Sequence, residues 1–345
     1  MDITKCLTTL ATLPGLSGYE QAVAEEVKQL FLPYADEVTI DPMFNVIAHK
    51  KGTGPKVMLA AHMDEIGLMV TKIEKDGTLR IGNVGGVDPR ILPGMRVKVF
   101  GKQPLLGVVG AKPPHLLTLA DRKKNYPREE LFVDVAMSYE KVKEQIQIGD
   151  LIAFHTPLTT LKNNQVSCKT MDDRACVVLM LQAAKRLMTL RPTADIYFVA
   201  TTQEEVGSRG AKAAAFDIAP DLAIALDVTH ATIPASRPDT TCDLGSLAVT
   251  VGPYVQPKLV ERMKKTAKNH GITLQTEVAT SYTGTDGDDI QISREGVPMM
   301  LLSLPLKYMH TTVETIDTNV LVEGGRLLAH FLAELDEDWG KDLWI

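Results

Sequence analysis

Four short apolar runs constrain this chain more than any other feature. They are KVMLAAH (56–62), IYFVATT (196–202), LAIALDV (222–228) and the stretch from Val297 to Leu304. KVMLAAH is continuous and follows the turn signal Gly54-Pro55, the pattern of a strand covered on both faces, as in a parallel sheet. The other three read as strands of the same sheet. Between them lie helical patterns: the amphipathic QAVAEEVKQLFL (21–32), the largely buried DDRACVVLMLQAAKRL (172–187), AKAAAF (211–216), residues 257–269 with Pro257 at the start and Gly271 past the end, and residues 319–335. Strands alternating with helices predict an α/β fold with a mostly parallel central sheet and helices on both faces. Ser17 and Glu20, three apart, predict a capping box for the helix over 17–32.

The texture changes from about 69 to 162. Short β-rich runs (LMVTKIE, TLRIG, RVKVFG, LLGVVG, DLIAFH) alternate there with Gly, Pro and Asp turns, and Asp76-Gly77 is a hairpin signal. We expect a small inserted β-rich domain over 69–162, splitting the larger domain into 1–68 and 163–345. A length of 345 residues accommodates two domains. The net charge of −6 argues against a broad nucleic-acid surface. No apolar run approaches the ~18 residues of a membrane span. The opening MDITKCLTTLATLPG is a poor signal peptide, so a cytoplasmic protein is expected. Cys6, Cys168, Cys176 and Cys242 are irregularly spaced and read as reduced thiols.

Polar residues gather at the carboxyl ends of the predicted strands, where open α/β sheets collect their ligands. KVMLAA ends in His62 and Asp64, IYFVATTQ in Glu204-Glu205, LAIAL in Asp227, and the last strand leads by a short loop to His310. Asp172-Asp173 opens the long helix. Each has an ordinary structural reading: a satisfied core histidine, a solvated loop, a helix cap, a turn residue, a surface histidine. Their shared placement favours one site. Several carboxylates in one cleft need raised pKa values or bound cations. Two divalent ions would balance three carboxylates, and imidazole with carboxylate suits zinc, cobalt or manganese. Asp64 has the spacing to hold the imidazole of His62. One glutamate of the Glu204-Glu205 pair can bind metal while its neighbour faces the attacking water.

With these residues in view, the chain resembles the M42 family of metallo-aminopeptidases, which includes glutamyl aminopeptidases and the tetrahedral TET peptidases. The resemblance spans essentially the whole length. It rests on PGLSGYE (14–20), AAHMDEIG (60–67), KTMDDRAC (169–176), TQEEVGSRGA (202–211), ALDV (225–228), GTDGD (284–288) and YMHTTVE (308–314). It implies that His62 and Asp227 bind one metal, that Glu205 and His310 bind the other, and that Asp172 bridges them. It further implies that Glu204 is the general base and that Asp64 supports His62. The implied activity is hydrolysis of the N-terminal bond of short peptides with a free amine, through a metal-bridging water activated by Glu204. The implied cofactors are two divalent ions, zinc or cobalt foremost and manganese next. A homo-oligomer is implied too, with dimers formed through the β domain and assembling to a tetrahedral dodecamer, and with neither nucleic acid nor membrane as partner. Gly287 departs from the pattern, where alanine is commoner.

Two rival readings remain: a two-metal hydrolase acting on acylated amino acids or carboxy-terminal bonds, and a scaffold with structural metals. The spare Glu204 and the absence of cysteine from the ligand set argue against the scaffold. For an acid-selective pocket, Arg209 and Lys307 are the nearby cations. Among the remaining histidines, His115 and His230 are the candidates for reaching the site.

Overall fold

The computed structural model describes residues 2–234, 236–237, 240–336 and 338–340. The chain begins with α1 (Ile3–Thr12) and α2 (Gln21–Phe31), then β1 (Glu37–Ile40), β2 (Val46–Lys50) and β3 (Lys56–His62). Next come β4 (Gly67–Ile73), β5 (Leu79–Val84), β6 (Arg96–Phe100), β7 (Pro104–Gly110), β8 (Phe132–Asp134), α3 (Tyr139–Gln145) and β9 (Leu151–Phe154). The chain then returns through β10 (Thr159–Thr160), β11 (Gln165–Cys168), α4 (Met171–Leu190), β12 (Asp195–Thr201) and α5 (Arg209–Ile218). It continues with β13 (Leu222–His230), β14 (Ala248–Val251), α6 (Pro257–Asn269), β15 (Gln275–Val278) and α7 (Asp286–Ile290). It closes with β16 (Met299–Leu306), β17 (Glu314–Asp317) and α8 (Thr318–Ala333).

The main sheet runs β1-β2-β12-β3-β13-β16-β14-β15. Its centre, β12-β3-β13-β16, is parallel, and its margins carry the antiparallel pairs β1-β2, β2-β12 and β14-β16. The central strands are the four apolar runs of the sequence. Every residue of β16 is buried, as is β3 from Val57 to His62. That is the pattern of strands covered on both faces. α4 lies across β3 and β13 and packs on α1 and α8, while α5 and α7 pack together over β3, β12 and β13. A separate three-stranded sheet joins β10, β11 and β17.

Strands β4 to β9 close into a barrel, in the order β4-β5-β8-β7-β6-β9. It has its own core, with Leu68, Leu79, Val97, Val99, Val133 and Ile152 fully buried. Period-two alternation supplies these inward positions. The β4-β5 hairpin turns at Asp76-Gly77, where Gly77 has a φ of +87°. The barrel strands begin at Gly67 and end at Phe154, and Thr159–Thr160 pair outside it.

The capping box at Ser17 and Glu20 does not form. The N-cap of α2 is Glu20 itself, with no side-chain cap bond. Ser17 donates to Asp64 (2.6 Å), and Glu20 accepts from the amides of Gly18 (2.7 Å) and Gln203 (3.1 Å). Both side chains are spent on the strand ends rather than on the helix. All four cysteines are free and buried. No helix among the described residues is long and apolar enough to cross a membrane.

Candidate metal centre

The parallel register brings the strand ends together. His62 closes β3 directly opposite Thr201, the last residue of β12, so the segment carrying Glu204 and Glu205 starts beside it. Asp227 lies on β13 opposite Ser303 of β16. Past β16 the chain reaches His310 in a left-handed conformation (φ 58°). Asp172 and Asp173 are joined by a cis peptide bond and have non-helical dihedrals, so the regular part of α4 starts after them. The helix expected near Asp172 is present, and the plain helix-cap reading of Asp172 and Asp173 is not met: the N-cap of α4 is Thr170, with no side-chain cap bond.

Asp172 sits between the two histidines. Its Oδ1 is 3.1 Å from His62 Nε2 and its Oδ2 is 3.4 Å from His310 Nε2. His310 Nε2 is also 3.3 Å from Glu205 Oε1, and His62 Nε2 is 3.9 Å from Glu204 Oε2. The donor atoms of His62, Asp172 and Glu205 all converge within 4.8 Å, as do those of His62, Asp173 and Asp227. Six of the seven residues singled out in the sequence thus converge, and the seventh, Asp64, is buried behind them on the Nδ1 side of His62. Asp173, which the sequence left as a possible cap, joins them, and its Oδ2 accepts from the His62 amide (3.2 Å).

The surrounding groups fix these side chains. Asp64 accepts from the amides of Glu204 (3.0 Å) and Glu205 (3.3 Å) and lies 3.3 Å from His62 Nδ1. Glu314, fully enclosed, accepts from the amides of Asp172 (3.1 Å) and His310 (2.8 Å). His310 Nδ1 lies 3.0 Å from the carbonyl of Gly86, two residues past the end of β5. A carbonyl only accepts, so Nδ1 carries the proton and Nε2 is free to ligate. A Cβ on Gly86 would come within 2.9 Å of that Nδ1, and one on Gly85 (φ +72°) within 3.3 Å of Glu205 Cβ. Below them, Glu65 pairs with Lys169 (2.5 Å) and lies 3.5 Å from Arg174, all three buried.

Sequence reasoning missed Glu314, Gly85-Gly86 and the Glu65–Lys169–Arg174 group. Glu314 ended a motif already singled out. Adjacent glycines inside an apolar stretch are the available signal for a close backbone approach. The bland readings of the other histidines hold at two positions: His49 pairs with Asp195 (2.7 Å), and His270 with Glu334 (2.9 Å). His230 lines the cleft and His115 does not. Gly287 packs under the sheet against Met299 and Ala225, so its departure concerns packing.

The electrostatics are those of a carboxylate cluster short of cations. Burial, followed by the charges of Asp227, Asp286 and Glu205 against that of His62, pushes Glu204 up to about 10. Burial likewise raises Asp227, Asp173 and Glu205. Hydrogen bonds to Asp172 and Glu205 raise His310 to about 11. Burial opposes ionisation of Asp172, but its bonds to His310 and His62 outweigh that and hold its carboxyl low. Among the described residues, Asp173 Oδ1 and Asp286 Oδ1 are buried without a hydrogen-bond partner, and His62 Nδ1 has only the Asp64 carboxylate at 3.3 Å. Left alone, such groups neutralise by taking up protons; divalent cations do the same work without them. The nitrogen and oxygen donors, with no thiolate among them, fit such ions.

Residues 45–327 match the family described as M42 glutamyl aminopeptidase. The chain belongs to the M42 peptidase family. As a member it is a peptide hydrolase that acts at peptide N-termini. It is 42% identical to a lysyl aminopeptidase of Pyrococcus furiosus, over 93% of this chain and 94% of that protein. It superposes on an aminopeptidase of the archaeon Desulfurococcus kamchatkensis with a TM-score of 0.92 and 35% identity, covering 99% and 97% of the two chains. The TET1 peptidase of Pyrococcus horikoshii, which can assemble into a tetrahedron or a large octahedral shell, matches at 31% identity and a TM-score of 0.86, over 97% and 100%. The M42 fold accounts for both the central sheet and the inserted barrel.

Proposed function

We propose that this M42 member is a dinuclear metal aminopeptidase. The observation that carries the reading is Asp172, whose two oxygens face different histidines at 3.1 and 3.4 Å. His62, Asp172 and Asp227 would hold one cation; Asp172, Glu205 and His310 the other. Zinc or cobalt is the expected ion, with manganese next. When bound, the ions supply a Lewis acid for the scissile carbonyl and lower the pKa of a water.

The remaining chemistry belongs to the chain's own side chains. Glu204 stands outside that ligand set, with its Oε2 3.9 Å from His62 Nε2 and its side chain lining the cleft; Asp173, the other carboxylate left out, is fully buried behind it. It accepts the proton of the attacking water at its carboxylate oxygen. The water oxygen bonds to the carbonyl carbon, the C–N bond breaks, and Glu204 returns the proton to the leaving amine. Asp64 keeps Glu204 and Glu205 in place through their amides. The inserted β domain expected over 69–162, whose barrel strands run from Gly67 to Phe154, would serve dimerisation, and the subunits would assemble into a closed homo-oligomer. The four buried free thiols suit the reducing cytoplasm.

The test is chelator-treated protein, reconstituted with zinc, cobalt or manganese, on free-amine aminoacyl anilides with N-acetylated controls. Cleavage of the free-amine set alone, returning with metal, is the expected result. Protein that carries two metals per chain yet cleaves none of them would refute the reading.

A further inference from the structure

The cleft that holds the cluster has a volume of about 440 Å³ and extends past it over the sheet. The carboxyl side chains lining it are those of Asp172, Glu204, Glu205, Asp227 and Glu277, and its imidazoles those of His230 and His310; none of the described residues lining it is Lys or Arg. Four of the five carboxylates belong to the proposed metal site. Glu277 does not. It sits on β15, and its side chain reaches back over β14 and β16 to β13. Its Oε1 accepts a short hydrogen bond from Thr229, and its Oε2 accepts from Ser303 (2.9 Å) and Thr250 (3.4 Å). Three hydroxyls hold the carboxylate, and no cation is among its bonded partners. Arg209 and Lys307, the cations nearest in sequence to the site, do not line this space.

Its position matters as much as its charge. Thr229 follows Asp227 by two residues on β13, and Ser303 is the cross-strand partner of Asp227. Both donors therefore share the face of the sheet that bears Asp227. The Glu277 carboxylate is thus held by Oε1 at Thr229, one strand repeat or about 7 Å beyond Asp227, and by Oε2 at Ser303, on the neighbouring strand beside it. A lysine side chain, with five bonds from Cα to Nζ, extends roughly 6 Å. A substrate whose N-terminal residue is seated at the cluster would carry a basic side chain to the carboxylate.

We propose that Glu277 is the specificity-determining residue of this enzyme, and that it selects peptides whose N-terminal residue is lysine or arginine. The inference rests on the aminopeptidase reading above. An acidic first residue would bring its side-chain carboxylate against that of Glu277, and none of the described residues lining the cleft is a Lys or Arg that could pair with it. A neutral one leaves the carboxylate without a partner of opposite sign. A charge-assisted hydrogen bond in this setting is worth about 10- to 100-fold in kcat/KM.

The experiment compares the lysyl, arginyl, leucyl and glutamyl anilides on metal-loaded wild-type protein and on Glu277→Gln, whose amide keeps an acceptor for the hydroxyls. Binding of L-lysine and of L-norleucine to the Glu204→Gln variant, followed by calorimetry with and without Glu277→Gln, gives a readout independent of turnover. Wild type should prefer lysyl and arginyl over leucyl anilide by at least tenfold. Glu277→Gln should remove that preference while leucyl turnover stays within about threefold. L-Lysine should bind more tightly than L-norleucine, and only while Glu277 is present. Leucyl or glutamyl anilide cleaved as well as lysyl would overturn the proposal and leave the aminopeptidase reading standing. So would a lysyl preference that survives Glu277→Gln, or an equal loss on every substrate, the mark of a purely structural strand tie. No cleavage of any free-amine anilide by wild type would overturn both.

Discussion

Replacing Glu65 by glutamine should cost this protein about 3–5 kcal/mol, although the two side chains are nearly the same shape. Glu65 is fully buried and is the only carboxylate paired with Lys169 (2.5 Å) and Arg174 (3.5 Å) among the described residues. An amide keeps an acceptor for the Gly15 N–H (2.9 Å) but removes the charge. Two buried cations then lack a counter-ion, which is the expensive way to break a buried pair. Arg174 retains the carbonyls of Met63, Leu10 and Leu13 at 2.5–2.7 Å, while Lys169 retains only that of Leu13 at 3.4 Å. Lys169 therefore carries most of the penalty, and its pKa, already lowered chiefly by burial, should fall further. Adding Lys169→Met should recover much of the loss, leaving the double variant within about 2 kcal/mol of wild type. The assay is urea unfolding of chelator-treated protein at pH 7, since bound metal adds its own stabilisation. A single variant that loses less than 1 kcal/mol, or a double variant whose loss equals the sum of the singles, refutes this account.

Three other outcomes follow from the site and its supports. Glu204→Gln should keep its metal content after dialysis and lose about 10²–10⁴-fold in kcat; near wild-type turnover would remove Glu204 from the mechanism. Gly86→Ala places a methyl against the His310 ring, so affinity for one of the two ions should drop about 10- to 100-fold in a chelator competition titration, whereas unchanged affinity would mean the loop simply yields. Burial, with the charge of Asp64, raises Glu20 to about 7 from the ordinary glutamate value of 4.5 despite the opposing amide of Gly18. The native state thus holds more protons than the unfolded state between those values, and stability falls as pH rises through the window. Glu20→Gln should flatten that fall by up to about 3 kcal/mol between pH 4 and pH 8, and parallel stability–pH curves would contradict it.

The central sheet was legible because strands covered on both faces have an unmistakable composition, and because α/β topology sends their carboxyl ends to one side. His62, Glu204, Glu205, Asp227 and His310 could be grouped on that ground alone. The N-terminal segment was not legible in the same way. Ser17 and Glu20 fit a local capping pattern, and only the fold shows that Asp64 and the Gln203 amide compete for them. Local pattern cannot see a partner 47 or 183 residues away. Glu277 was invisible for a related reason: it lies on an edge strand, and its meaning comes from hydroxyls on three other strands. The resemblance to a known family supplied the ligand pairings, which neither spacing nor periodicity could.

The glycine pair at 85–86 binds the architecture of this enzyme to its chemistry. The barrel reads as an insertion, yet its backbone carbonyl sets the tautomer of His310 and its missing side chains make room for Glu205. The barrel is therefore not a detachable cassette. A truncation that seals β3 directly to β10 could retain every ligand and still leave one imidazole free to spin. A graft from a relative would succeed or fail on the placement of two residues that bear no functional group at all.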